Sequence, residues 1–235
     1  MRKMKIFTAL SIGLLAIIFS WFHLFVSEEE HNVTKFNSIY TSGPFNVFIT
    51  ESNKESVIIR ADDRIHDQVT VEVVNGTLKI YNEGNINRER VLDAYVSFLA
   101  LDSIHTSGSS NLTGRGILNA SKLKVNATDA AEIKLRLKSD TLHLNMSGAA
   151  NVQLAGDVNY FDLLIEHVGD LMAYNLISQH CKAILNTGDQ SPGVARINVQ
   201  RTLDVTIKGP RHLKYLGQPT ILNQSIEGRG QLIDR

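Results

Sequence analysis

NMSGAANVQLAG, residues 145–156, sets the grammar of the chain: apolar alternation runs into a small-residue turn and resumes beyond it. The arrangement returns as HTSGSSNLTG (105–114), EHVGDLMA (166–173), LNTGDQSPG (185–193), TIKGPRHLKYLG (206–217) and SIEGRGQL (225–232). Between Gly108, Gly148, Gly169, Gly188, Gly209 and Gly228 the spacings are 40, 21, 19, 21 and 19 residues. The first gap holds two periods, with NATDAAEIKL (126–135) as its middle member and Asp129 and Ala130 at the turn.

Before the turns come Leu142, Leu144 and Met146, or Leu203, Val205 and Ile207; after them come Ile133 with Leu135, or Val152 with Leu154. Such period-two alternation marks half-buried strands, and Gly, Asn, Asp and Ser mark the turns between them. Two or three short strands in a coil of ~20 residues cannot bury their apolar faces alone, but stacked coils can. Leucine-rich repeats share the period, yet their LxxLxLxxN consensus is absent. The expected fold is therefore all-β, a parallel β-helix or solenoid with ~20-residue coils, plus an N-terminal transmembrane or signal helix.

Residues 35–101 are less regular. FNVFIT (45–50), ESVIIRA (55–61), QVTVEVV (68–74), GTLKIYN (76–82) and LDAYVSFL (92–99) read as strands, and Asn75-Gly76 is a two-residue hairpin signal. TSGPFN (41–46) resembles the later turns. This section is expected to form the first coils, elaborated by hairpins that protect one open end, and to be continuous with the regular coils of 102–235.

Charge divides the chain. Lys and Arg number 24, as do Asp and Glu, but Arg2, Lys3 and Lys5 precede a run from Ile6 to Val26 without any of the four. That run is long enough to cross a hydrocarbon core of ~30 Å. Residues 1–26 thus read as a signal anchor or signal peptide, with 27–34 as a linker. The length of the run and Phe25 near the expected cleavage point favour the anchor. The basic start and Glu28, Glu29 and Glu30 favour a cytoplasmic N-terminus. The other 209 residues carry 21 basic and 24 acidic groups, a balance that disfavours nucleic acid.

Chemistry is sparse. Asp129, Asp170 and Asp189 near successive turns form a candidate acidic column, able in principle to hold Ca²⁺ or to act as paired acids. The alternative is that each aspartate bonds its own turn backbone. His167, aligned with Met146 and Ile207, is expected to be buried; no histidine pair has HExxH or HxH spacing. Ser42, Ser107 and Ser147 lack a GxSxG elbow. Cys181, the single cysteine, excludes an intrachain disulfide and reads as a core residue. Arg88 with Arg90, and Arg211 with His212 and Lys214, are only short basic clusters. No catalytic residue, metal ligand or cofactor is expected.

Phe36-Asn37-Ser38-Ile39 leads into TSGPFNVFIT, then ADDRIHDQVTVEVVNGTLKIYN, then serial turns at SGSS, SGAA, VGD, TGD and EGRG. Over residues 35–233 this resembles the head GIN domain of auto-transporter adhesins, a bacterial family. The resemblance implies a β-helical fold and an envelope location, and it supplies no catalytic motif. The expected protein is exported and non-enzymatic, using a solenoid surface for binding or adhesion. It would be anchored in the inner membrane through residues 6–26 with its body in the periplasm, or else be periplasmic or on the cell surface. Its expected partner is an envelope protein or a polysaccharide. The alternatives are a β-helix carbohydrate-active enzyme and an anchored assembly or sensor protein.

Overall fold

The computed structural model describes residues 26–84, 86, 92–188 and 192–235. Within them the chain is all-β apart from a 3-10 turn at His66–Gln68. The architecture follows from four long strands: β11 (Glu132–Met146), β12 (Asn151–Glu166), β13 (Leu171–Asn186) and β14 (Val194–Lys208). Each changes the phase of its inward residues part-way along. In β12, Val152, Leu154 and Val158 point inward, Asn159 and Tyr160 both point out, and Phe161, Leu163 and Ile165 point inward again. Two successive outward residues make a corner, so every long strand lines two faces of the coil. Corner serines close this bend: the Ser178 hydroxyl donates to the Asn198 carbonyl at 2.7 Å and that of Ser139 to the Thr141 carbonyl at 2.9 Å.

Successive coils pair in parallel, Ile133 against Val152 and Leu142 against Phe161. Side-chain hydrogen bonds between adjacent coils from β10 onward join residues 18 to 24 apart, in agreement with the expected period. Face 1, which follows each turn, continues from β14 into β15 (His212–Leu216) and β17 (Gln231–Asp234). Face 2, which precedes each turn, ends on β16 (Thr220–Glu227). Between the faces lies one continuous apolar core, including Ile133, Leu144, Val152, Phe161, Ala183, Ile197 and Val205. Each buried Val, Leu, Ile or Phe among them contributes roughly 1.5–3 kcal/mol.

The irregular section is a cap. β2 (Ser38–Gly43) pairs with β8 (Ser103–Gly108), and β3 (Asn46–Glu51) with β9 (Asn111–Arg115), so Gly43 sits directly against Gly108. The insertion between these coils folds back beneath the first. β6 (Thr77–Asn82) and β7 (Leu92–Phe98) form a further parallel rung under β2 and β3. Beyond it, β5 (Val69–Val74) and β4 (Ser56–Asp62) run antiparallel. Asn75 and Gly76 turn β5 into β6 with φ of 52° and 74°, the double positive φ expected of that dipeptide. On the other side, β10 (Leu118–Ala127) links β8 to β11.

One boundary differs from expectation. The stretch 27–34, read as a linker, contributes most of β1 (Val26–His31), which pairs antiparallel with β4 and is exposed. Three consecutive glutamates look unstructured in sequence, yet the edge of a sheet accepts them because their side chains remain in water. The expected helix over 6–26 lies outside the described residues except for Val26. Among the described residues no helix is long and apolar enough to cross a membrane.

Candidate functional site

The turns are built on positive φ. Gly108 (66°), Asp129 (59°), Gly148 (68°), His167 (71°), Gly188 (62°), Gly209 (109°) and Gly228 (103°) supply one such residue per coil. In the coil of residues 166–170 the apex is therefore His167 rather than Gly169. This corrects the expected place of His167: it is exposed, and Ile165 takes the core slot against Met146 and Leu185. Gly169 serves another purpose, since a Cβ there would run into the Ala150 carbonyl of the coil below.

The shifted apex separates the candidate acidic residues. Asp129 occupies an apex, where its carboxylate accepts the Gly108 N–H at 3.1 Å and the Thr128 hydroxyl at 3.4 Å. Asp170 stands three residues beyond its own apex, at the start of face 1. Its N–H donates to Asn151 Oδ1 at 3.3 Å, and its Oδ1 accepts the Val194 N–H at 3.5 Å. Asp129 and Asp170 thus occupy different positions of the coil and are not brought together; Asp189 lies outside the described residues.

Asp170 instead faces Arg211. That side chain is 0% exposed, and its Nη1 lies 3.6 Å from Asp170 Oδ1, while Nη2 donates to the carbonyls of Val168 at 2.7 Å and His167 at 3.2 Å. Glycine makes the room: a Cβ on Gly193 would sit 2.6 Å from Nη2. Burial pulls the guanidinium pKa down and Asp170 pushes it back up. With Nη2 on two backbone carbonyls and Nη1 beside Asp170, the buried Arg211 is a structural tie and no part of a surface basic cluster. Cys181 is buried, and burial pushes its thiol pKa far up, which suits a core residue.

Chemistry that a partner could meet lies on the outward rows. On face 1 one row passes from Tyr95 and Phe48 through Thr113 to Lys134, and on through Gln153 and Met172 to Arg196 and Lys214. It contains no carboxylate. Arg115 and Arg136 stand two residues beyond Thr113 and Lys134, at the next outward position, and both are exposed. The rings of Phe48 and Tyr95 stack at 5.3 Å and 17°, and the Arg115 guanidinium lies 4.4 Å and 5.1 Å from their centroids. The flanking row is polar: Asn46 donates to Asp93 at 3.0 Å and Asn111 donates to Asn46 at 3.2 Å. On face 2, Tyr160 stacks on His180 at 5.1 Å and His143 pairs with Asp162 at 2.9 Å.

At the corner between the faces, Asp140, Asp157, Lys138 and Ile177 line an open notch of about 320 Å³. Asp140 accepts from Asn159 Nδ2 at 2.7 Å, and Asp157 stands opposite Lys138 on the next coil. Among the described residues no group of three or more His, Cys, Asp or Glu could hold a metal ion.

The family model described as "Putative auto-transporter adhesin, head GIN domain" matches residues 35–219. The chain belongs to this family. The GIN domain also has solved structural relatives. One, described as a putative adhesin from Bacteroides fragilis NCTC 9343, superposes with a TM-score of 0.82 at 22% identity, covering 89% of this chain and 97% of that one. Another, a putative adhesin from Parabacteroides merdae ATCC 43184, gives 0.72 at 21% identity over 91% and 97%. A third, described as a putative lipid binding protein from Parabacteroides distasonis ATCC 8503, gives 0.72 at 16% over 91% and 98%. At these identities the likeness establishes the solenoid fold. No curated protein matches the chain.

Proposed function

We propose that this GIN domain is a non-enzymatic, exported protein of the bacterial envelope that binds a glycan or protein partner on the lateral faces of its solenoid. The observation that carries this reading is the continuous outward row of face 1, which has stacked rings at one end and cations at Lys134, Arg196 and Lys214 and contains no carboxylate. A flat ladder presents an extended surface, and such surfaces are what solenoids use for binding. The family's description as an adhesin, and the adhesin names of two structural relatives, support the same reading. In this proposal residues 6–26 hold the protein in the inner membrane and the body lies in the periplasm. No cofactor takes part.

The test is crosslinking of the full chain in its native envelope, compared with a variant lacking residues 6–26. Specific capture of a protein or glycan by the full chain is the expected result; recovery no greater than from the variant rejects the proposal. The corner notch favours a second reading, a glycan-cleaving enzyme, because it holds two carboxylates. Such enzymes need a free acid and base ~5–9.5 Å apart, whereas Asp140 is already engaged by Asn159. Glycan turnover that is abolished by both Asp140→Asn and Asp157→Asn would establish this second reading over the first.

A further inference from the structure

We propose that face 1 binds an acidic polysaccharide laid along the solenoid axis over Arg115, Lys134, Arg136, Arg196 and Lys214. The inference rests on the lateral-face reading above and names the chemistry of the partner. Its first support is charge. Lys134 has one acidic neighbour, Glu132 at 3.9 Å, while among the described residues no carboxylate pairs with Arg115, Arg136, Arg196 or Lys214. Some cations elsewhere on the surface are matched, as in Arg60 with Asp93 and Lys208 with Glu227, whereas face 1 gathers its unmatched ones along adjacent outward rows.

Preorganisation is the second support. Arg115 lies over the Phe48 and Tyr95 rings, which restrict a long side chain that would otherwise lose rotamer freedom on binding an anion. A guanidinium held on a ring face still directs its N–H groups outward in the plane that suits carboxylate or sulfate.

Length is the third. From β9 through β11, β12, β13 and β14 to β15 the chain takes five steps between rungs, or ~24 Å at the spacing of hydrogen-bonded strands. A single anionic headgroup cannot reach both ends, but a polymer can. A polynucleotide fits less well, because the rings it would use for base stacking are covered by Arg115.

The experiment uses the full chain in detergent micelles, with polygalacturonate, neutral dextran and poly-dT as probes. Polygalacturonate is expected to bind, to weaken as salt rises from roughly 50 to 300 mM, and to outcompete dextran and poly-dT. Replacing Arg115, Lys134 and Arg136 together by Gln is expected to weaken binding about tenfold or more. The equal charge change on face 2, Lys122, Lys124 and Lys182 to Gln, is expected to leave it unchanged. Unaltered melting of both variants, whose substituted residues are exposed, confirms that folding is not the cause. Equal binding of dextran, tighter binding of poly-dT, or equal losses in the two variants overturns the proposal. So does loss of native-envelope protein crosslinks in the face 1 variant without any polygalacturonate binding, an outcome that leaves the lateral-face reading standing. Absence of any envelope capture by the unaltered chain would remove that wider reading instead.

Discussion

A methyl group added at Gly169 and one added at Gly188 would meet different surroundings, although both residues sit in turn segments of similar sequence. At Gly169 it would strike the Ala150 carbonyl, which the ladder holds in place; at Gly188 nothing lies within 4 Å and the only obstacle is a φ of 62°. Gly169→Ala is therefore expected to cost about 3 kcal/mol or more. Gly188→Ala should cost about 1–2 kcal/mol, the penalty of the left-handed region alone. Urea unfolding followed by circular dichroism checks the order, and a larger loss at Gly188 would contradict this account of the turns. His105 gives a pH-dependent counterpart. Burial lowers its pKa, Asp129 opposes this and Lys124 adds to it, while the Tyr40 ring contacts it edge-on at 5.1 Å. A base whose folded pKa is depressed contributes stability that is present above the unfolded value of about 6.5 and is lost as pH falls through the folded value. Acidification from neutrality should lower the melting temperature less steeply in His105→Gln than in the parent; parallel slopes would exclude the effect.

At the scale of the strand, alternation was a sufficient guide to existence but an incomplete guide to register. Residues 45–50, 55–61, 68–74, 76–82 and 92–99 all read as strands, and β3 to β7 occupy them: β3, β4, β6 and β7 alternate buried with less buried residues, while Val69, Val71 and Val73 of β5 pack only partly buried against the same core. Register slipped at EHVGDLMA, where Val168-Gly169 imitates Ser147-Gly148 although the apex is His167. The buried role of Arg211 was invisible for a related reason: the glycine that makes its space, Gly193, belongs to another coil, and Arg211, His212 and Lys214 look like any exposed basic run. Face 1 had a local trace, since Lys134, Arg136 and Lys138 alternate with Ile133, Leu135 and Leu137 and must point outward together. Arg115, Arg196 and Lys214 joined them only once the coils were stacked. The first strand carries its own prediction. β1 offers an open edge, and Glu28, Glu29 and Glu30 lie along it, where like charges discourage pairing with another copy. Replacing all three by Thr should produce self-association in light scattering at concentrations where the parent remains monodisperse. An unchanged profile would show that the edge needs no such guard.

The whole molecule is an elongated stack in which faces persist and coils repeat, so surface rows that look scattered in sequence become continuous stripes in space. Its stability has a matching geometry. In a solenoid each coil ordinarily touches only its two neighbours, and unfolding can then proceed by peeling from an end. Arg211 breaks that rule. Its donors reach the carbonyls of His167 and Val168, 44 and 43 residues earlier and two coils away. Removing its counter-charge by Asp170→Asn is expected to cost about 1–2 kcal/mol, less than breaking a fully buried pair because the Asp170 side chain is 50% exposed. Amide exchange gives the sharper check: in Arg211→Leu, β15, β16 and β17 should exchange faster while β11 and β12 keep their protection. Uniform acceleration, or none, would count against a local tie. The consequence is one of cooperativity. A chain of nearest-neighbour couplings frays gradually, whereas a coupling that skips a unit makes the units it spans melt together. One arginine threaded past Gly193 thereby turns the distal coils into a single unfolding block, keeping the far end of the cationic row in register with the rest.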